Sequence, residues 1–122
     1  MAESANKGTV QRIFILAGEA SGDAYGGKLV EALKQASPDV EIRAWGGEAM
    51  EKAGAQVLRH YRSLAFMGIW EVVKNIYSIS KLWKECQDAL EAFQPDVFVG
   101  IDYHGFNLRM AKHAKKMGIQ TH

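Results

Sequence analysis

The stretch IFILAGEASGD, running from Ile13 to Asp23, decides the fold. Its first half, Ile13-Phe14-Ile15-Leu16-Ala17, is an unbroken apolar run with no polar residue at alternate positions. Such a run reads as a strand buried on both faces, the habit of a parallel sheet covered by helices. Gly18 ends it, and a glycine-rich turn follows. Leu29, Val30 and Leu33 then recur at helical spacing until Ser37-Pro38, where proline stops the helix. A strand, a tight turn and a helix in this order form the first unit of an α/β layer. In such sheets ligands sit beyond the carboxyl ends of the strands.

The same alternation continues along the chain. Val40 to Trp45 reads as a second strand, Gly46-Gly47 as a turn, Glu48 to Ala53 as a short helix ended by Gly54, and Gln56 to Leu58 as a brief edge strand. From Met67 to Phe93 the apolar positions Ile69, Val72, Val73, Ile76, Ile79, Trp83, Cys86 and Leu90 keep the period of about 3.6 residues, giving one long helix or two abutting ones. Pro95 closes it. Asp96 to Ile101 is a third apolar strand, Phe106 to Met117 a helix with Gly118 at its C-terminal cap, and Ile119 begins another strand. Residues 1–11 read as a disordered lead-in and 12–122 as one domain. The expected architecture is α/β, a Rossmann-like doubly wound parallel sheet.

Composition narrows the function classes. Lys and Arg total 15 against 14 for Asp and Glu, so the net charge of +1 supplies no general field for nucleic acid, and any anion is bound locally. The one cysteine, Cys86, has no internal disulfide partner, which fits a reducing compartment and equally a secreted protein with a single thiol. Residues Met1 to Gln11 lack the apolar core of a signal peptide, and no run reaches the ~18 apolar residues of a spanning helix. A soluble, cytoplasmic protein that can still touch a membrane surface is expected. With 122 residues, chemistry that needs a cleft between two domains is out of reach of this length alone.

The turn Gly18 to Lys28 lies where backbone amides and a helix N-terminus receive an anion, but position does not choose the ligand. A dinucleotide fingerprint wants a second glycine where Ala20 stands. Gly22 to Lys28 matches most of a phosphate-binding P-loop, yet Leu29 replaces the magnesium-ligating hydroxyl and Asp23 would set a carboxylate among the phosphates. Gly18-x-x-Ser21-Gly22 has the wrong spacing for a nucleophile elbow. The plain alternative is a strand-to-helix turn with Ser21 or Asp23 as N-cap.

Asp102 ends the third strand at the same edge of the sheet. A carboxylate there can take a proton from a substrate hydroxyl, or it can cap the helix around Asn107. Asp102-Tyr103-His104 as a metal group lacks accompanying ligands at suitable spacing, and no metal or other cofactor is expected. His60, His113 and His122 read as ordinary polar residues. On the long helix, Phe66, Trp70 and Tyr77 fall together off the core stripe with Lys74, Lys81 and Lys84 beside them, at about 100° per residue. Such a flank suits a membrane interface, or packing under a neighbouring loop.

Four blocks, GEASGD at Gly18 to Asp23, WGGEAM at Trp45 to Met50, LAFMGIWEVV at Leu64 to Val73 and PDVFVGIDYHGFNLRMAK at Pro95 to Lys112, together resemble the lipid-A-disaccharide synthases. They stand in the right order and cover nearly all of the chain after the lead-in. The resemblance implies the amino-terminal half of a GT-B-type glycosyltransferase, with the donor-binding carboxy-terminal domain lying outside this chain. It implies an inverting transfer of a 2,3-diacylglucosaminyl unit from its UDP ester to the 6-hydroxyl of 2,3-diacylglucosamine 1-phosphate, forming the β(1→6) disaccharide and UDP. By the same resemblance Asp102 is the general base. Gly18, Glu19, Ser21, Gly22, Asp23 and Asn107 line the acceptor side. Phe66, Met67, Trp70 and Tyr77 meet acyl chains or the cytoplasmic surface of the inner membrane. His104 stands where many members carry proline, so this turn lacks the fixed φ that proline gives. The chain by itself is expected to be inactive, with weak self-association through an exposed sheet edge. The competing expectation is a non-catalytic module that binds an acylated sugar phosphate or a membrane surface.

Overall fold

The computed structural model describes the backbone of residues 12–63, 77–101 and 104–122, and the side chains of these except 77–80 and 104–109. Strand β1 (Arg12–Ala17) is the apolar run, buried at all positions but the first. Its side chains part to two faces. Ile13, Ile15 and Ala17 join Val30, Val40, Ile42, Ala44, Met50 and Ala55 in one core. Phe14 and Leu16 join Trp45, Leu82, Cys86, Leu90, Phe98 and Met110 in the other. Two apolar faces need two covering layers, which is why the strand is apolar throughout.

The layers come from helices in alternation with strands: α1 (Ala20–Ala36), β2 (Glu41–Gly46), α2 (Glu48–Ala53), β3 (Gln56–His60), α3 (Tyr77–Phe93), β4 (Val97–Ile101), α4 (His104–Lys116) and β5 (Gln120–Thr121). The sheet order is β3-β2-β1-β4-β5. The paired strands run parallel throughout. This is the doubly wound arrangement read from the alternation. The order reverses between β1 and β4, so the crevice of such a sheet opens beyond their carboxyl ends.

Two helix ends follow the glycine signals. Gly54 closes α2 at φ 120° and Gly118 follows α4 at φ 85°, conformations that a Cβ disfavours. The expected strand over Gln56–Leu58 extends to His60 and is an edge strand. Three readings are adjusted. The N-cap position of α1 belongs to Glu19, extended and without a side-chain cap, whereas Ser21 and Asp23 lie inside the helix. Helix α4 starts at His104 rather than Phe106. The helix expected from Met67 is described from Tyr77, and Met67 to Ile76 lie outside the described residues. The lead-in over 1–11 also lies outside them.

Candidate functional site

Register sets the crevice. Ala17 at the end of β1 pairs with Ile101 at the end of β4. The GEASGD turn therefore leaves the sheet beside the strand that leads into Asp102, the next residue, itself outside the described residues. Gly22 lies on this junction: a Cβ there would meet the Ala17 Cβ at 3.1 Å and the Ile101 Cγ2 at 3.3 Å. Glycine lets α1 settle onto both strand ends at once.

Around that contact the turn divides in two. Gly18, Gly22 and Asp23 are buried, while Glu19 and Ser21 are exposed. The Asp23 amide donates to the Glu19 carbonyl at 2.9 Å, closing the first turn of α1. The side chain of the N-cap residue, Glu19, makes no cap bond to the preceding amides. A long helix that presents its N-terminus at the carboxyl edge has the polarity to receive an anionic group.

Asp23 is engaged elsewhere. It is 5% exposed, and it is the one buried charged residue among those described. Oδ1 accepts the amides of Gly47 at 2.7 Å and Met50 at 3.2 Å, and Oδ2 accepts the amide of Ala49 at 3.0 Å. The carboxylate thus satisfies the N-terminus of α2 from another helix, where three donors offset the cost of burying the charge. The Gly47-Met50 turn is a partner that the sequence reading did not connect to Asp23. The available signal was the Gly46-Gly47 pair directly after a strand.

The same edge carries a polar cluster beside β3. The Arg62 amide donates to His60 Nδ1 at 3.0 Å, which leaves Nε2 as the donor to Glu48 Oε2 at 3.1 Å. Its own backbone amide, and then the His60 hydrogen bond, hold the Glu48 carboxyl below the usual range. His60 is therefore a hydrogen-bond partner of Glu48, which also lies 4.0 Å from Arg62 Nη1. His113 sits edge-on to Trp83, its Nε2 buried without a hydrogen bond among the described residues and 3.7 Å from Glu91 Oε2. Cys86 is fully buried, and burial pushes its thiol far above its ordinary value, so it is no nucleophile.

Among the described residues no three His, Cys, Asp or Glu side chains gather as metal ligands. None of the described helices is long and apolar enough to cross a membrane. The first aspartate of the PDVFVGID block, Asp96, lies at the opposite edge, where its Oδ2 accepts the Arg12 amide at 2.9 Å. Asn107 lies in α4 with its side chain outside the description, as is that of Tyr77 in α3. Phe66, Met67 and Trp70 lie outside the described residues altogether.

Comparison with known proteins adds the family. A sequence model of the family described as lipid-A-disaccharide synthetase matches residues 13–122. The chain is 41% identical over 110 residues to a lipid-A-disaccharide synthase of Xanthomonas campestris pv. campestris (strain 8004), covering 90% of this chain and 25% of that protein. It is 40% identical over 114 residues to the synthase of Trichlorobacter lovleyi, covering 93% and 30%. It is 37% identical over 109 residues to that of Coxiella burnetii (strain Dugway 5J108-111), covering 89% and 29%. The chain therefore spans between 25% and 30% of the length of these relatives.

Proposed function

The chain belongs to the lipid-A-disaccharide synthetase family, and from that premise we propose that it forms the acceptor side of a glycosyltransferase that makes the lipid A disaccharide. The observation that carries this reading is the Ala17–Ile101 pairing, with the GEASGD turn and the strand leading to Asp102 side by side at the switch point. Ligands of open parallel sheets sit there.

In this reading Asp102 is the general base. It takes the proton of the acceptor's 6-hydroxyl as that oxygen bonds to C1 of the donor sugar, while the C1–O bond to UDP breaks and its electron pair leaves with the diphosphate. Attack on the face opposite the leaving group inverts C1 and gives the β(1→6) linkage. The acceptor is 2,3-diacylglucosamine 1-phosphate and the donor its UDP-linked counterpart. Gly18, Glu19, Ser21, Gly22 and Asn107 line the acceptor, and the amides at the start of α1, which the Glu19 side chain does not cap, suit its phosphate. Asp23 belongs to the same loop and acts through the turn it holds. The family's donor half lies outside the segment matched here. Phe66, Met67, Trp70 and Tyr77 meet acyl chains at the cytoplasmic surface of the inner membrane, to which the protein attaches peripherally.

The test is a titration of the chain with a short-acyl diacylglucosamine 1-phosphate, followed by amide resonances. Shifts centred on Gly18 to Gly22, with none from UDP at the same concentration, are expected. Equal responses to both ligands, or acceptor shifts confined to other elements, would remove the acceptor-side assignment.

A further inference from the structure

We propose that Asp23 is a positioning residue of the crevice, whose carboxylate ties the β2–α2 turn to the first turn of α1 and so presets the loop that meets the acceptor. The proposal rests on the acceptor-side reading above and assigns one of its loop residues a different kind of role. The starting observation is that both carboxylate oxygens are spent on three backbone amides, at 2.7, 3.0 and 3.2 Å. A sugar hydroxyl would have to displace donors that pair with a charged acceptor in a buried place, where such bonds are strongest.

Geometry links this bond set to the loop. Successive helix positions turn by about 100°, so Gly22 and Asp23 share the inward face of α1 while Ala20 and Ser21 face outward. Gly22 fixes the helix against Ala17 and Ile101 on one side. Asp23 fixes it against the Gly47-Met50 turn on the other. A rotation by one residue would bury Ser21 and expel Asp23, breaking all three bonds. The pocket for the carboxylate is also close-fitting: a Cβ on Gly47 would lie 2.9 Å from Oδ2, and one on Gly46 would lie 3.4 Å from Oδ1. The outward setting of Glu19 and Ser21 is therefore held by Asp23 without its touching a ligand. The same bonds occupy amides at the N-terminus of α2, whereas the N-cap residue of α1, Glu19, makes no side-chain cap of its own.

Asp23→Asn keeps one carbonyl oxygen for Gly47 and Met50 but turns an NH2 group toward the Ala49 amide. Ala49→Pro removes that amide from the other side, at a first-turn position that tolerates proline. Without ligand, both variants are expected to shift the amide resonances of Glu19 to Gly22 together with those of the Gly47-Met50 turn. With the short-acyl acceptor, each is expected to bind about tenfold more weakly, and the double variant no more weakly than either single one. Additive losses, or loop resonances that stay in place, would overturn the proposal. In the unaltered chain the Asp23 carboxyl 13C resonance is expected to stay fixed as acceptor saturates the site, a readout that needs no variant to fold. Its movement to a new, ligand-bound position would make Asp23 a direct contact and refute positioning. If the unaltered chain binds no acceptor while the loop resonances still move in the variants, the acceptor-side reading fails and the positioning role stands.

Discussion

At Gly27 the backbone of α1 comes so near α2 that a Cβ would lie 2.9 Å from the Ala49 carbonyl oxygen and 3.0 Å from its Cβ. Backbone there cannot swing aside as a long side chain would. Alanine is favoured over glycine in a helix by roughly 1 kcal/mol, yet overpacking of this kind costs about 1–3 kcal/mol. Gly27→Ala is thus expected to lower stability in urea denaturation, and a gain would show that the two helices separate easily. Cys86 makes the opposite use of close packing. Its buried thiol is expected to react with a thiol reagent only at the rate of unfolding, and prompt labelling of the folded chain would contradict its burial. The sequence put Asp23 and Asp102 forward as site residues, since spacing shows which edge of a strand a residue ends but not what its side chain meets. Asp96 was legible as the start of a strand. The partners of Asp23 lie 24, 26 and 27 residues further on, beyond any local pattern, and only packing reveals them.

Elements were more legible than contacts. The unbroken apolar run of β1, the stop at Pro38 and the glycines after α2 and α4 each act through local sterics or two-sided burial, and each lies where the pattern places it. The alternative of Ser21 or Asp23 as N-cap of α1 fails although both are good N-cap types, since both lie inside the helix and Asp23 serves the start of α2 instead. Leu90, fully buried in the layer of α3, is expected to cost about 2–5 kcal/mol on truncation to alanine. A loss under 1 kcal/mol in denaturant titration would mean α3 does not seal that face. At the start of α2, Glu48 is exposed to solvent and its pKa is lowered, chiefly by its own amide. Its contribution is present above the ordinary carboxylate range and fades as pH falls through the lowered value. Glu48→Gln is expected to flatten the acid limb of a stability–pH profile, and an unchanged limb would show the cluster with His60 contributes nothing.

For the molecule as a whole, the order β3-β2-β1-β4-β5 puts the GEASGD turn and the approach to Asp102 on one edge. The aromatic flank of the LAFMGIWEVV block carries the proposed membrane contact. Trp70→Ala is expected to lower co-sedimentation with anionic vesicles, and unchanged binding would discard that face. The fold class could be read from alternation alone, because parallel layers impose it on every strand. The reaction could not, since acceptor, donor and membrane leave no periodic trace, and it entered through resemblance in four blocks. The central claim is that this chain supplies the acceptor side and the base of the transferase. The most direct measurement replaces the matched segment of the Xanthomonas campestris synthase with this chain. It then follows transfer from UDP-diacylglucosamine to diacylglucosamine 1-phosphate, with and without Asp102→Ala. Transfer by the chimera, lost by about a hundredfold or more when Asp102 is removed, is the predicted result; a folded chimera without transfer, or one indifferent to Asp102→Ala, would contradict the account.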